Sequence, residues 1–495
     1  MFPQIRLAKR HVKEGYVGSS LQFTLTDTDP AKAEAFLNAC AQRGVEIKCF
    51  GAKESIGFTS PWESRQYVNT IHPLPKTRRV LRFLCDFRIP LTFTLEDCKI
   101  IAAVIRQAAE EFIVDMNSRE RVLTALNHEE PDRVPVDCGG RQTTFMVDSY
   151  ENFKVHLGLE DLPTKMMSHK WQTVYVDEQI LERFSIDCRH VRPPMTTEPE
   201  LFETPAGETL FVDEWVVKRK VEAGYASIIE YPLQTAVLED LEKYPWPDPA
   251  EMLDFSSIKG QAQQLYDQGE YAIVGCMGSP GNVFEQSWYL RGLTEFFMDL
   301  MDNKDFAHAL LSKILEIRKR NAKLFLGEVG QYLDVIQLAD DLAMQTGPYM
   351  SQAMYQEMIK PYQAELVQFV KELTPARIYY HSCGAVSALL DDLIDIGVEI
   401  LNPVQVTATG MATDRLKKRF GKRLSFWGAI DTTEVLPQGT ATEVKREVAK
   451  RIRELGPGGG YVLGSVHNMQ NDIPPRNIMA MFEAAARFGK YPLNA

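Results

Sequence analysis

The stretch Arg377-Ile378-Tyr379-Tyr380-His381-Ser382-Cys383-Gly384 is the most informative part of this 495-residue chain. An apolar and aromatic run ends in His-x-Cys-Gly and a helical pattern follows, which predicts a buried strand that turns at Gly384 into a helix. Alternate residues of an extended segment project to the same face, so His381 and Cys383 can reach one point. An imidazole and a thiolate there suit zinc or another transition metal. A core histidine beside a buried thiol is the alternative, since two ligands alone do not define a metal site.

The composition is typical of a globular protein with enough apolar residues for a large core. Hydrophobic residues make up 45% and charged residues 25% of the chain. The length predicts two or three domains, one of which has room to be a barrel of about 250 residues or more. The formal net charge of −12 argues against a general affinity for nucleic acid or for anionic membranes.

Targeting signals and cysteine usage point to the cytoplasm. The N-terminal residues contain no apolar signal segment, and no run of 18 apolar residues occurs in the sequence. The eight cysteines are scattered without the regular spacing of a disulfide framework. We therefore expect reduced thiols in a soluble, cytoplasmic protein that does not associate with membranes.

Residues 1–112 are predicted to form an α/β extension. Strand patterns at 19–27 and 45–50 alternate with helical patterns at 31–43 and 96–112. The phrases "RGVEIKCFG" and "FRIPLTFTLEDCKIIAAVI" resemble the small C-terminal domain of the sugar-aminotransferase type of pyridoxal-phosphate enzymes, over residues 17–112. The large cofactor domain of that family, with its Schiff-base lysine, is missing, so we predict neither pyridoxal-phosphate binding nor transamination. We hypothesise that this region mediates association, and a homo-oligomer is one assembly that it could support.

A second domain is predicted over residues 116–495, where the phrase "MNSRERVLTALNHEEPDRVPVDCGG" opens with a helix that Ser118 could cap. This phrase, and the pattern that follows to about residue 490, resembles the uroporphyrinogen decarboxylase superfamily. That superfamily also contains zinc-dependent, cobalamin-linked methyltransferases. The resemblance implies a (β/α)8 TIM barrel.

Alternation of strand and helix independently predicts a parallel α/β architecture for the second domain. Apolar strand patterns recur at 272–276, 334–338, 378–380, 400–403, 424–430 and 461–464. An open doubly wound sheet is the alternative, but no glycine-rich dinucleotide turn follows a first strand, so the barrel is favoured. In such barrels the chemistry lies where strands end, and polar residues cluster at several of these ends.

The resemblance extends the His-x-Cys pair to a three-ligand site. The methyltransferase branch binds zinc through His-x-Cys and a distant cysteine near the last strand. The matching stretch here, Leu463–Asn468, carries His467 instead, and imidazole is an acceptable zinc ligand. We predict that His381, Cys383 and His467 hold zinc with one position open. Decarboxylases of the superfamily also carry a late histidine that contacts substrate, so a metal-free site stays open.

Five further residues are predicted to serve the reaction. Asp341 is a candidate catalytic group, because the neighbouring carboxylates Asp340 and Asp341 at a strand end could titrate apart. Glu285, just inside a helix after a Gly/Pro loop, is the other candidate, and favourable placement at the helix dipole is the alternative for it. We also predict three substrate-binding residues: Arg141, Gln337 and Asn402. The adjacent Asp340 could be a second acid or a helix cap. Four aromatic residues are candidates to line a pocket for a methoxylated aromatic compound, with a place in the core as the alternative for each: Trp171, Tyr225, Trp288 and Tyr380.

The predicted function is methyl transfer between a small methylated substrate, or a thiol or other acceptor, and the cobalt of a corrinoid on a partner protein, with zinc as activator. One alternative is decarboxylation of a uroporphyrinogen-like tetrapyrrole. In decarboxylases of this superfamily, arginines of an early loop bind the substrate carboxylates. The loop here offers only Arg141, and an octacarboxylate needs several guanidinium groups, which argues against that reaction. A non-catalytic tetrapyrrole- or corrinoid-binding protein is the second alternative.

Overall fold

The computed structural model describes residues 5–7, 20–26, 28, 30–52, 81–90, 92–112, 116–222, 225–278 and 282–493. The chain divides into two compact units, Met1–Asp115 and Met116–Ala495. No helix in the described residues is long and apolar enough to span a membrane.

The first unit is a four-stranded antiparallel sheet covered by two helices. In chain order its elements are β1 (Ile5–Leu7), β2 (Ser20–Leu25), α1 (Pro30–Gln42), β3 (Lys48–Cys49), β4 (Leu84–Arg88) and α2 (Leu95–Phe112). The strands pair in the order β1-β2-β4-β3. Ala33, Phe36 and Cys40 of α1 are buried at helical spacing, and they pack on a core that includes Phe23 and Cys85.

The second unit is built on a seven-stranded parallel sheet. Its strands are β7 (Cys188–Val191), β12 (Ala272–Cys276), β13 (Val335–Ala339), β14 (Arg377–His381), β15 (Ile400–Asn402), β16 (Ser425–Ile430) and β17 (Tyr461–Ser465), paired in sequence order. Every residue of β12, β13, β16 and β17 is buried. Burial on both faces explains why these strands read as continuous apolar runs rather than as alternating patterns.

A short segment closes this sheet into a barrel. The N–H of Leu463 in β17 donates to the carbonyl of Pro135 at 2.8 Å, and the N–H of Asp137 donates to Leu463 at 2.8 Å. On its other side, the carbonyl of Val136 accepts from the N–H of Asp187 at 2.9 Å. Residues 135–137 therefore take the position of the eighth barrel strand, between β17 and β7, and are called the eighth stave below. The predicted TIM-barrel fold is confirmed.

Ion pairs fasten this stave at the amino end of β7. The Asp187 carboxylate, which is fully buried, receives Arg121 at 2.6 Å and Arg133 at 2.7 Å. It also accepts the backbone N–H of Val136 at 2.8 Å. Removing one partner from such a buried cluster would leave uncompensated charge, so Asp187 stabilises the closure of the barrel.

Helices surround the barrel and connect its strands. They are α3 (Ser118–Leu126), α4 (Val147–Leu157), α5 (Glu178–Arg183), α6 (Asp240–Lys243), α7 (Pro249–Met252), α8 (Ile258–Gln268), α9 (Phe284–Arg291), α10 (Leu293–Asp302), α11 (Lys304–Val329), α12 (Gln352–Met354), α13 (Lys360–Leu373), α14 (Leu390–Asp395), α15 (Thr413–Phe420), α16 (Val435–Gln438), α17 (Ala441–Leu455) and α18 (Pro475–Phe488). One cap differs from the expectation. Asn117, not Ser118, caps α3, and its side chain accepts the N–H of Glu120 at 2.8 Å in a capping box.

Two small antiparallel sheets interrupt the barrel pattern. The first pairs β5 (Lys165–Ser168) with β6 (Thr173–Tyr175). The second, between β7 and β12, consists of β8 (Phe202–Glu203), β9 (Thr209–Val212), β10 (Lys218–Glu222) and β11 (Tyr225–Glu230). The sequence analysis did not predict this second sheet. Both sheets supply residues to the wall of the cavity described below.

Candidate metal centre and cavity

The carboxyl ends of β14 and β17 bring three side chains together. His381 ends β14, Cys383 lies two residues beyond it, and His467 lies two residues beyond the end of β17. One ligand atom from each of the three lies within 4.8 Å of the other two. His381 Nε2 is 3.4 Å from Cys383 Sγ, and the two imidazole centroids are 5.7 Å apart. Tetrahedral zinc bond lengths place a nitrogen and a sulfur ligand about 3.6 Å apart, so this spacing fits zinc.

Asn402 orients the His381 imidazole. Its amide nitrogen donates to the carbonyl of Trp427 at 3.0 Å, which turns the amide oxygen towards His381 Nδ1 at 2.6 Å. That oxygen can only accept, so Nδ1 must carry the hydrogen and Nε2 carries the lone pair. The lone pair therefore faces Cys383, as a metal ligand requires.

Burial keeps both imidazoles neutral. Burial lowers the pKa of His381 to about 4, although the hydrogen bond that its Nδ1–H donates to Asn402 opposes this shift. Burial and then the neighbouring His381 lower the pKa of His467 to about 3. Burial, followed by the charge of Asp341, raises the pKa of the Cys383 thiol well above its ordinary value. A divalent cation would offset the cost of a thiolate here, so the two nitrogens and one sulfur fit a zinc site with a position left open.

Asp341 lies beside this trio and faces the cavity. Its Oδ1 accepts the backbone N–H of Cys383 at 2.8 Å and is 3.9 Å from His381 Nε2. Burial raises the pKa of Asp341 to about 6. Its position, between the predicted ligands and the open space, suits contact with a bound substrate.

Asp340 has a different role from its neighbour. Its carboxylate accepts the backbone N–H groups of Val283 at 3.1 Å, Phe284 at 2.8 Å and Glu285 at 2.7 Å. The side chain of Gln363 donates to it at 2.9 Å, and the residue is 1% exposed. Asp340 therefore holds the amino end of α9, a helix distant in sequence, and so positions Glu285.

Glu285 reaches the same cavity from α9. It accepts hydrogen bonds from the hydroxyl of Tyr289 and from the amide of Asn282, the latter at 3.2 Å. Burial and then the charge of Asp341 raise the pKa of Glu285 to about 7. A carboxyl with that pKa can hold or release a proton near neutral pH.

The cavity has a volume of about 380 Å³ and lies over the barrel's carboxyl end. Its wall includes Asp341, Glu285, His381, His467, Arg141, Arg192, Trp171, Tyr175 and Met146. Arg141 Nη1 donates to the carbonyl of Gly278 at 2.5 Å, and Arg192 Nη1 donates to that of Met167 at 3.1 Å. Within the described residues neither guanidinium forms an ion pair, and burial lowers the pKa of Arg141. The wall thus carries two guanidinium groups outside close ion pairs, together with the carboxyl groups of Asp341, Glu285 and Glu214.

Three other predicted residues lie behind the wall. Gln337 is buried and donates to Gln142, which itself lines the cavity. Asn402 is fully buried behind His381, where it positions that ring instead of facing the open space. Tyr380 belongs to the hydrophobic core, whereas Trp171 does line the cavity.

A sequence model of the uroporphyrinogen decarboxylase (URO-D) family matches residues 213–488, which is more than half of the chain. The chain belongs to the uroporphyrinogen decarboxylase family.

Similar proteins from this family and fold span most of the second unit. The uroporphyrinogen decarboxylase of Alkalilimnicola ehrlichii is 23% identical over 376 residues, covering 74% of this chain and 93% of that protein. The Pseudomonas aeruginosa enzyme is 24% identical over 257 residues, covering 50% and 67%. A solved structure described as a methyltransferase from Methanosarcina mazei matches with a TM-score of 0.53 at 17% identity, covering 76% of this chain and 99% of that one. At that identity the likeness shows the fold.

This URO-D family member also contains a buried pair that the sequence analysis missed. Asp137, in the eighth stave, accepts from Trp427 Nε1 at 2.9 Å and from the hydroxyl of Thr143 at 2.8 Å. Its other oxygen is 2.9 Å from Nε2 of His190 in β7. Burial alone would raise the pKa of Asp137, but His190, Trp427 and Thr143 together lower it. Arg192, which follows β7 and lines the cavity, was missed as a site residue as well.

The sequence carried a weak signal for these residues. Asp137 directly follows the apolar run Val134–Val136, and His190 and Arg192 alternate along "CRHVR" as residues on one face of a strand do. Only the closure of the barrel shows which of these side chains meet.

Proposed function

We propose that this URO-D family member is a methyltransferase that moves a methyl group between a small methylated substrate, or a thiol or other acceptor, and the cobalt of a corrinoid on a partner protein. The observation that carries the proposal is the convergence of His381, Cys383 and His467 within 4.8 Å beside the cavity. Two nitrogens and one sulfur form a set that binds zinc and leaves one position for substrate.

Zinc, when bound, supplies a Lewis acid at the substrate's oxygen or sulfur, and the corrinoid supplies the cobalt that carries the methyl group. Residues of the chain position the ligands and exchange protons with the substrate. Asn402 fixes the tautomer of His381, and Asp341 holds the backbone of Cys383. Glu285 is placed to exchange a proton with the substrate heteroatom through its Oε2, which keeps one long hydrogen bond from Asn282.

The charge of the cavity wall indicates which substrates fit. Among the described residues neither guanidinium forms an ion pair, although Asp341, Glu285 and Glu214 also line the wall. An anionic group on the substrate would therefore offset the cost of keeping the guanidinium groups half-buried. Arg141 and Arg192 therefore favour a methylated compound that also carries an acidic group. The neighbouring rings of Trp171 and Tyr175 suit an aromatic or otherwise apolar body. A volume of about 380 Å³ accommodates a small molecule of this kind.

Decarboxylation of a tetrapyrrole is the second candidate, and the curated relatives favour it because they are uroporphyrinogen decarboxylases. The wall argues against it, because it offers two unpaired guanidinium groups where an octacarboxylate needs several. A non-catalytic corrinoid-binding role is the third candidate. It would require neither the metal ligands nor the proton-exchanging carboxyl.

The test is zinc content together with methyl transfer. We expect about one zinc per chain in protein purified without added metal, and its loss in Cys383→Ser and His467→Ala. Cys98→Ser, at a half-buried thiol in the first unit, is the matched control and should retain zinc. The parent should methylate free cob(I)alamin from methoxylated or methylthiolated carboxylic acids, and both ligand variants should lose at least about 100-fold in rate.

Two results would contradict the proposal. A folded parent without zinc that releases carbon dioxide from uroporphyrinogen would establish the decarboxylase. A zinc-containing parent that binds cobalamin but transfers no methyl group from any of these acids would favour the non-catalytic role.

A further inference from the structure

Three thiols converge in the core of the first unit. Cys49 in β3 and Cys85 in β4 are direct cross-strand neighbours, and Cys40 of α1 packs in the same core. The N–H of Phe50 donates to the carbonyl of Leu84 at 3.0 Å, which makes that adjacent pair the hydrogen-bonded one. Cys49 and Cys85 therefore form a non-hydrogen-bonded pair, where Cα atoms of antiparallel strands are about 4.5 Å apart. That distance lies within the range of about 4.4–6.8 Å in which disulfides form.

The two thiols of this pair differ in exposure and in acidity. Cys85 is fully buried, whereas Cys49 is half-buried at the turn that follows β3. A hydrogen bond from Cys85, together with the backbone N–H groups of Gly51 and Ala52, lowers the pKa of Cys49 to about 7. Donating that bond to Cys49, followed by burial, raises the pKa of Cys85. An accessible thiol that ionises readily beside a second thiol is the arrangement found in redox-sensitive cysteine pairs.

The turn is held close to β4, which keeps the pair in register. A Cβ atom on Gly51 would lie 2.3 Å from the carbonyl oxygen of Arg82, so only glycine permits this approach. Cys49 Sγ is itself 3.5 Å from the same oxygen. The backbone thus presents Cys49 to Cys85 in the reduced protein without further rearrangement.

We propose that Cys49 and Cys85 form a reversible disulfide by exchange with low-molecular-weight disulfides. The Cys49 thiolate attacks one sulfur of the small disulfide, forms a mixed disulfide and releases one small thiolate. Cys85 then loses its proton and attacks the Cys49 sulfur, which releases the second small thiolate. The two protein thiols are oxidised to one disulfide while the small disulfide is reduced to two thiols.

The experiment uses the full-length protein and glutathione disulfide. After incubation the remaining thiols are alkylated and the protein is mapped by mass spectrometry. We expect a cross-linked peptide that joins Cys49 to Cys85, its reversal by excess reduced glutathione, and its absence in Cys49→Ser. In Cys85→Ser we expect the mixed disulfide to persist on Cys49. Cys98→Ser, at another half-buried thiol of the same unit, should behave as the parent does.

The peptide map of the parent keeps the test valid even if a variant fails to fold. Recovery of Cys49 and Cys85 as free thiols after glutathione disulfide treatment would overturn the proposal. So would a disulfide that joins Cys49 to Cys40, or an alkylation rate at Cys49 no greater than that at Cys98 at pH 7.

Discussion

His381 ends β14 and His190 lies in β7 of the same barrel, and Trp427 contacts the partners of both, yet the two imidazoles are held in opposite ways. The carbonyl of Trp427 fixes the amide of Asn402, and that amide holds His381. The indole N–H of the same residue fixes the carboxylate of Asp137, and that carboxylate pairs with His190. An amide that only accepts at Nδ1 leaves His381 neutral with a free lone pair. At His190 a carboxylate oxygen of Asp137 instead lies 2.9 Å from Nε2, so Asp137 engages the ring nitrogen that in His381 faces Cys383.

The difference shows how one barrel can assign separate tasks to similar residues. His381 opens onto the cavity and is suited to bind a metal, whereas His190 does not line the cavity and is suited to tie the eighth stave to β7. The predictions below test that separation, beginning with the largest effect.

Removing the carboxylate of Asp137 should have the largest effect, a loss in the free energy of unfolding. Asp137→Leu leaves the donors from Trp427 and Thr143 and the ring of His190 unsatisfied in the core, so we expect a loss of about 3–5 kcal/mol in the free energy of unfolding. Urea unfolding measures it. Asp137→Asn is the control, because an amide oxygen can still accept from Trp427, and it should lose less. Equal losses in the two variants would mean that the retained amide oxygen contributes nothing and that the charge of Asp137 carries the whole effect.

Replacing the side-chain amide of Asn402 should weaken zinc binding. Asn402→Leu frees the His381 ring to adopt the other tautomer, and we expect zinc affinity to fall about 10- to 100-fold. Competition with a chromogenic chelator measures it. Asp137→Asn should bind zinc as tightly as the parent does. If both variants lose affinity alike, the two histidines are not separate in function.

A substitution at Trp427 should separate the support of Asp137 by its indole N–H from the support of Asn402 by its backbone carbonyl. Trp427→Phe removes the N–H that Asp137 accepts but keeps the carbonyl that Asn402 needs. We expect a loss of about 1–2 kcal/mol in the free energy of unfolding, with zinc affinity unchanged. Denaturation and chelator competition on the same preparation provide the check, and a parallel fall in zinc affinity would contradict it.

The smallest expected effect is a dependence on pH. The pKa of Asp137 is lower in the folded chain than its ordinary value, so its contribution to stability is complete above about pH 4 and is lost as pH falls through the lower folded value. The stability difference between the parent and Asp137→Asn should therefore be constant near neutral pH and shrink in acid. A difference that grows on acidification would reverse the assignment.

The sequence was sufficient to predict the barrel and the three candidate ligands. Parallel strands end at one face, so polar residues after the strand patterns at 378–380 and 461–464 had to converge there. His381 and Cys383 lie two residues apart, and the resemblance to the methyltransferase branch supplied His467. The sequence shows histidine at position 467, where the methyltransferase branch has cysteine. Because imidazole also binds zinc, His467 could still be predicted as the third ligand.

Other parts of the site depend on contacts between distant segments that no local pattern contains. The sequence indicates that the chain enters a strand by Asp137, but no local pattern shows which distant side chains meet Asp137 there. Asp340 caps α9, which follows the neighbouring strand β12, whereas local sequence suggests only a cap for the helix that follows Asp340 itself. The inserted sheet escaped prediction because its strands are short and rich in charge, as in Lys218–Glu222.

The closure of the barrel at Val136 and Leu463 also has a consequence for the order of assembly. The backbone pairing of Val136 with Leu463 completes the barrel and joins residues from the beginning and the end of the second unit. Forming this pairing closes a loop of nearly the whole domain, so the entropy cost of loop closure falls on this step. His381 and Cys383 can come together on a partly formed sheet, but His467 arrives only with the last strand. A nascent chain would therefore acquire its third ligand only after synthesis has passed β17, and zinc uptake during refolding would report the final step of folding.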